Sequence, residues 1–422
     1  VDDRIVVRPG PPLEGTVRVG GAKNSVLKLM AAMTLAEGRY VLRNVPRIAD
    51  VETMSDVLVA MGADVRRTAD HELTVDVPAD LVPEAPYELV VRMRDSIVTL
   101  GPLLARYGEA RVAMPGGDDF GHRPIDMHLR GLEALGARFE LAHGYITARC
   151  DQLIGTKVVL EFPSVGATVN ILMAAVRAKG TTVIDNAARE PEIADLAAFL
   201  DRMGGRVVGA GTSTIEVEGT DELSPVDHTV IPDRIEAATY LAACAVAGGE
   251  ISVAGARPDH MDNFVRKLGE MGVRISPERD GLWALRDPRR RLRCVDVSTL
   301  PYPGIATDYK PLFVVMNAIA EGAAIVTENL FAGRFRYIDE LIRMGADIRV
   351  EGHYAVIRGV ERLSAAPVRA TDIRAGAALV LAGLAADGET VVHDVGHIDR
   401  GYEDLVGKLR ALGADVERVH GE

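Results

Sequence analysis

One short signature recurs six times along the chain and limits its possible folds more than any other feature. Met or Leu, then Gly, two further residues and an aliphatic or aromatic residue appear at 61–65, 135–139, 203–207, 271–275, 344–348 and 412–416. The steps between copies are 74, 68, 68, 73 and 68 residues, a period of about 70, longer than that of the common solenoid repeats. Each copy follows an amphipathic helical pattern such as that of 51–60, with apolar residues at helical spacing. The glycine supplies the left-handed turn that stops the helix. Alternating strand patterns with a polar turn inside them follow, as in 349–357.

A second element repeats in step with the first. A nearly all-apolar helix, a glycine and a strand occur at 27–38, 97–108, 171–180, 235–248, 312–322 and 377–388. Helices apolar on every side belong in a core. A chain of 422 residues also exceeds one ordinary core, so the six units divide into two domains of three. The expected division is 22–231 for one domain and 1–21 plus 232–422 for a second, discontinuous one, with a cleft between. Residues 4–7 and 15–19 read as two strands without helices of their own, and both are expected to complete the last unit.

The charge balance narrows the partners. Lys and Arg number 48 against 61 Asp and Glu, a net charge of −13, which argues against a general nucleic-acid or anionic-membrane binder but leaves room for a local basic pocket. With 48% apolar and 26% charged residues, no apolar leader and no membrane-length run, the expected setting is the cytoplasm. Cys150, Cys244 and Cys294 are far apart and in no metal spacing, so buried thiols are expected. Nothing in the sequence calls for a metal or a cofactor.

Two kinds of segment carry chemistry. The stretch Met114 to Pro124 holds three glycines, two prolines, Asp118, Asp119, His122 and Arg123; it reads as a mobile loop able to bring an acid to a closed site. Charged residues also fall where the repeats place helix N-termini: Lys23-Asn24, Arg94, Asp233-Arg234, Asp308, and Asp372 with Arg374. Helix N-termini favour anions through free N–H groups and the helix dipole. With Arg123, Arg334 and Arg400 on connecting loops, these positions would form a focused anion site if they converge. Ser164 to Thr168 reads first as an N-cap and second as a phosphate cradle.

These residues carry a family likeness. Gly21-Ala22-Lys23-Asn24, Pro115-Gly116-Gly117 through Arg123-Pro124, Pro163 to Thr168, Pro232 to Ala237, Thr307-Asp308, Thr327-Glu328-Asn329, Ala370 to Arg374 and His397 to Tyr402 form one ordered pattern. It resembles the UDP-N-acetylglucosamine 1-carboxyvinyltransferases, the enolpyruvyl transferases of peptidoglycan synthesis, nearly end to end. The resemblance implies a two-domain inside-out α/β barrel, six repeats of a βαβαββ-type unit with three per domain. It implies two small-molecule substrates, phosphoenolpyruvate and a UDP-sugar or uridine nucleotide, with no nucleic acid or membrane partner. Lys23, Arg123, Arg374 and Arg400 then match phosphoenolpyruvate-binding positions. Asn24, Arg94, Asp308, Leu330 and Arg334 match the acceptor side, and Pro124, Ile125, Asp126, Ser164, Val165 and Gly166 match the uridine and diphosphate contacts. Asp118, Lys23, Asp308 and Asp372 are the catalytic candidates.

Several residues depart from the family pattern. Asp118 stands where the family usually has the cysteine attacked by the epoxide antibiotic fosfomycin, and a carboxylate is a far poorer nucleophile toward an epoxide than a thiolate. Asp95 replaces the usual Ala after Arg94, Val169 stands where many relatives have Glu, and Tyr309-Lys310 follows Asp308 where relatives tend to have an apolar residue and Gln. Asp119 and His122 are also unusual. These residues leave open an acceptor other than UDP-N-acetylglucosamine, such as UMP in nucleoside-antibiotic synthesis, with Lys310 meeting an extra negative charge and Asp95 diverting Arg94. A non-catalytic UDP-sugar-binding regulator is a third reading.

Overall fold

The structure is a computed structural model that describes residues 3–115 and 124–421. They form two compact units, one of 21–115 with 124–231 and one of 3–20 with 232–421. The loop residues Asp118, Asp119, His122 and Arg123 lie outside the described residues.

Each unit is built from three copies of one module. Among the described residues there are six four-stranded sheets, and all share one pattern. An edge strand pairs parallel with the second strand, and two antiparallel pairings follow. In the first sheet Asp227–Thr229 runs parallel to Gly38–Arg43, which is antiparallel to Glu72–Val77, itself antiparallel to Asp64–Ala69. The amphipathic helices Ala49–Met61, Asp126–Ala134, Pro191–Met203, Asp262–Met271, Ile338–Arg343 and Leu405–Ala411 precede the six signature glycines. All six glycines adopt positive φ, between 86° and 111°. That left-handed conformation turns the chain out of the helix and into a strand at little cost only for a residue without Cβ.

The apolar helices occupy the middle of each unit and the sheets lie outside them. In the 232–421 unit Arg234–Ala247, Lys310–Ile319 and Ile373–Leu384 pack pairwise on one another. In the other, Leu100–Tyr107 packs on Val165–Ala175, and Lys23–Ala32 on the 3-10 turns beside them. Small residues permit this close approach: a Cβ on Gly101 would come within 2.3 Å of the Asn170 carbonyl oxygen. Two separate apolar cores result, one per unit. Burying side chains at roughly 1.5–3 kcal/mol each is what holds such helices inside.

The N-terminal strands correct one expectation. Arg4–Arg8 does complete the last module, pairing with Thr390–His393 and Asp415–Val419. Leu13–Arg18 does not; it runs parallel to Gly249–Ala254 and supplies the edge of the fourth module's sheet. Pro9 directly follows Arg8 and, like Pro11 and Pro12, lacks an N–H donor, so the ladder ends at Arg8 and the chain is redirected to the next sheet. Arg4–Arg8 and Asp415–Val419, from opposite ends of the chain, thus lie side by side in the sixth module's sheet, with Arg4 opposite Val419.

The three cysteines are free. Cys150 and Cys244 are buried as expected, whereas Cys294 is only half-buried. Among the described residues no helix is long and apolar enough to cross a membrane.

Candidate active site

In the 21–231 unit the centre is Lys23, the first residue of helix Lys23–Ala32, which has no side-chain cap. Its Nζ lies 3.1 Å from Asp50 Oδ2 and 3.7 Å from Asp95 Oδ2. Lys23 is 7% exposed and Asp50 1%. Asp50, in the first turn of Ala49–Met61, escaped sequence reasoning because a first-turn acid looks like any helix-dipole partner. Asp95 thus reaches Lys23. Its neighbour Arg94 is half-buried at the start of the 3-10 turn Arg94–Thr99. Burial draws the Arg94 guanidinium below its ordinary range, with Asp95 opposing. Asn24 is half-buried, and its carbonyl accepts from Lys28 Nζ.

The residues matched to uridine contacts are brought together in the same unit. Pro124 is exposed, Ile125 buried and Asp126 half-buried at the start of Asp126–Ala134. Ser164 Oγ accepts from the Ala167 N–H at 3.3 Å and caps helix Val165–Ala175, so the N-cap reading holds. Val165 and Gly166 open that helix, and His128 bears on Gly166: a Cβ there would meet His128 Cε1 at 2.7 Å. His128 was not singled out from the sequence. Its Nδ1 faces Asn170 Nδ2 at 2.8 Å. The Asn170 amide is oriented by the Gly101 N–H on its oxygen and the Ile97 carbonyl on its nitrogen. Nδ1 must therefore accept, which assigns the ring as the neutral Nε2–H tautomer. Burial, with Arg94 adding to it, lowers the His128 pKa to about 4.

The 232–421 unit holds a denser cluster. Arg334 Nη2 donates to Asp308 Oδ1 at 2.8 Å and lies 3.9 Å from Asp372 Oδ1; Arg374 Nε is 4.0 Å from Asp308 Oδ1. Arg334 and Arg374 are 5% and 3% exposed. Burial opposes their charge, but neighbouring acids win: Asp308 and Asp372 raise Arg334, while Tyr402 and Asp308 raise Arg374. Both arginines, placed by the sequence among the anion-binding cations, are buried; Arg334 is hydrogen-bonded to Asp308, whereas Arg374 stands 4.0 Å from the same carboxylate oxygen. Arg374 Nη1 nonetheless has no hydrogen-bond partner among the described residues. Asp372 and Asp233 each accept from two first-turn N–H groups of their own helices, so these caps use donors that the anion argument had assigned to a ligand. Arg400 is half-buried just after helix Gly396–Asp399, and half-buried Leu330 donates its N–H to Glu328.

Lys310 gives the second correction. Its side chain is fully buried and paired with Glu328 at 2.9 Å, so it cannot meet an extra charge on a substrate.

The family model described as EPSP synthase (3-phosphoshikimate 1-carboxyvinyltransferase) matches residues 7–409. A curated UDP-N-acetylglucosamine 1-carboxyvinyltransferase of Nocardia farcinica is 51% identical over 100% of both chains. The chain belongs to the carboxyvinyltransferase family. It is accordingly an enzyme of that class with the family's two-domain α/β fold. The enolpyruvyl transferase NikO from Streptomyces tendae superposes with a TM-score of 0.90 at 27% identity, covering 100% of both chains. EPSP synthase from Acinetobacter baumannii shares the fold, with a TM-score of 0.76 at 18% identity over 99% of this chain and 100% of that one.

Proposed function

We propose that this enzyme transfers the enolpyruvyl group of phosphoenolpyruvate to the 3-hydroxyl of UDP-N-acetylglucosamine and releases phosphate, the first committed step of peptidoglycan synthesis, in the cytoplasm. The observation that carries this reading is the 51% identity over the whole chain with a relative of that name. The acceptor hydroxyl gives up its proton to a base as its oxygen adds to C2 of the enol and a proton reaches the C3 methylene, giving a tetrahedral phosphorylated adduct. Loss of a C3 proton and expulsion of phosphate then regenerate the double bond on the new ether.

In this reading Lys23, Arg123 and Arg400 hold the anionic donor, and Arg374, whose buried Nη1 has no hydrogen-bond partner among the described residues, adds a fourth cation. Asp308 lies beside the attacking hydroxyl, where Arg334 at 2.8 Å fixes its orientation. Asp118 is the acid of the loop. Asn24, Arg94, Leu330 and Arg334 serve the acceptor sugar; 124–126 and 164–166 serve the nucleotide. Asp372 combines its capping role with a place beside Arg334.

The test is phosphate release from phosphoenolpyruvate with UDP-N-acetylglucosamine, UMP, UDP or shikimate 3-phosphate as acceptor. Release with UDP-N-acetylglucosamine alone is expected. Release with UMP alone would replace this acceptor, and none with any acceptor would make the chain a binding protein. With Asp118 in the loop, activity should survive prolonged incubation with fosfomycin; time-dependent irreversible loss would contradict that placement.

A further inference from the structure

Lys310 belongs to a closed ring of polar contacts that the proposed chemistry does not use directly. Its Nζ pairs with Glu328 Oε2 at 2.9 Å, donates to the Arg334 carbonyl oxygen, and stands 3.9 Å from the centre of the Phe335 ring. Thr307 Oγ1 donates to the same Glu328 oxygen at 2.8 Å and accepts from Arg334 Nη1 at 3.2 Å. The other Glu328 oxygen accepts from Thr299 Oγ1 and from the N–H groups of Leu330 and Phe331. The path Lys310–Glu328–Thr307–Arg334 therefore returns to Lys310 through Arg334's own carbonyl. Arg334 is gripped at its backbone and at its guanidinium, and the guanidinium's other nitrogen holds Asp308.

We propose that Lys310 is a positioning residue for Asp308: by closing this ring it fixes both ends of Arg334, and Arg334 sets the direction of the Asp308 carboxylate. The inference rests on the reading of Asp308 as a catalytic group. A long arginine side chain fixed at one end only samples many rotamers, and small displacements of a reacting group cost large factors in rate. Fixing both ends suppresses that motion. The groups that face the ammonium are Glu328, Arg334 and Asp372, with Tyr337 and Asp308 beyond them. Burial pulls the Lys310 pKa down to about 8 against the attraction of Glu328. Burial also works against the Glu328 carboxylate, yet Lys310 and its hydrogen-bond donors hold it below its ordinary range. The ring therefore carries its charge at neutral pH and loses a proton on the alkaline side.

The experiment compares the full-length enzyme with Lys310→Met, Lys310→Gln and Asp308→Asn by steady-state kinetics from pH 6.5 to 9.5, each checked for folding by circular dichroism. Lys310→Met, with no donor, should lose at least about tenfold in kcat while KM for phosphoenolpyruvate moves less than about threefold. Lys310→Gln, which keeps amide donors without the charge, should recover most of that loss across the pH range. Wild-type kcat for Lys310→Met, or a loss in Lys310→Gln as large as in Lys310→Met, would overturn the positioning role. Asp308→Asn separates the two readings. If it is inactive while both Lys310 variants behave as wild type, only the Lys310 inference fails; if it keeps full activity, the site reading itself fails. Should Lys310→Met not fold, Thr307→Val, which cuts the same ring between Glu328 and Arg334, decides in its place: wild-type kcat there would overturn the proposal.

Discussion

The two units are copies of one architecture, yet they treat their central charges differently. In the 21–231 unit Lys23 leans on Asp50 and Asp95 at the start of a helix that no side chain caps. In the 232–421 unit Asp308 is held by Arg334, which is itself braced through Thr307, Glu328 and Lys310. The helix beside it is capped by Asp372. The contrast teaches that a repeated fold supplies equivalent places, and the local side chains decide whether a place is braced or left able to respond. A braced carboxylate keeps one direction at little cost during a reaction. A lysine at an uncapped helix start retains donors and field for an incoming anion.

Removing the central groups should have the largest effect. Lys23→Met and Asp308→Asn should each lower phosphate release by about a thousandfold or more; a loss below tenfold in both would erase the contrast by removing the chemistry from both centres. Stability should separate them next. Lys310→Met leaves Glu328 buried without its cation and should cost about 3 kcal/mol in urea unfolding. Lys23→Met also strips buried Asp50 of its cation, and should cost somewhat less only because Asp95, 29% exposed, keeps part of its hydration. Equal costs would mean that the first unit is braced as tightly as the second.

Acid should act on the first unit through His128. Its folded-state pKa is about 4 against an ordinary 6.5, so between those values the unfolded chain binds the proton and the folded one does not. The contribution is complete above about pH 6.5 and falls away as pH drops toward 4, by roughly 3 kcal/mol. A His128→Leu variant should show a flatter pH dependence of unfolding over that window; the wild-type slope persisting in it would assign the acid sensitivity elsewhere. The smallest effect is a cap: Ser164→Ala should cost about 1 kcal/mol, detectable as a lower urea midpoint with little change in KM for phosphoenolpyruvate.

Much of this was written locally. The six glycines, the amphipathic helices before them and the apolar helices between them are near-neighbour patterns, so the modules and their number were legible. Ser164 as a cap and Asp308 at a helix start were legible for the same reason. Asp50, His128 and Asn170 were not, because their partners are remote in sequence and each resembles an ordinary helix residue until its neighbour is known. Lys310 was noticed for being unusual and given the wrong task, since a lone lysine carries no sign that Glu328 lies buried beside it.

The amino-acid order alone settled periodicity, helix ends and which faces avoid water, because turn chemistry and hydrophobic spacing act over a few residues. Tertiary structure decided that Leu13–Arg18 joins a different sheet from Arg4–Arg8. It also decided that Arg334 and Arg374 are buried among acids and that Lys310 closes a ring. These strand pairings join segments hundreds of residues apart and the buried ion pairs join groups at least 18 residues apart, and only the folded chain brings such groups together.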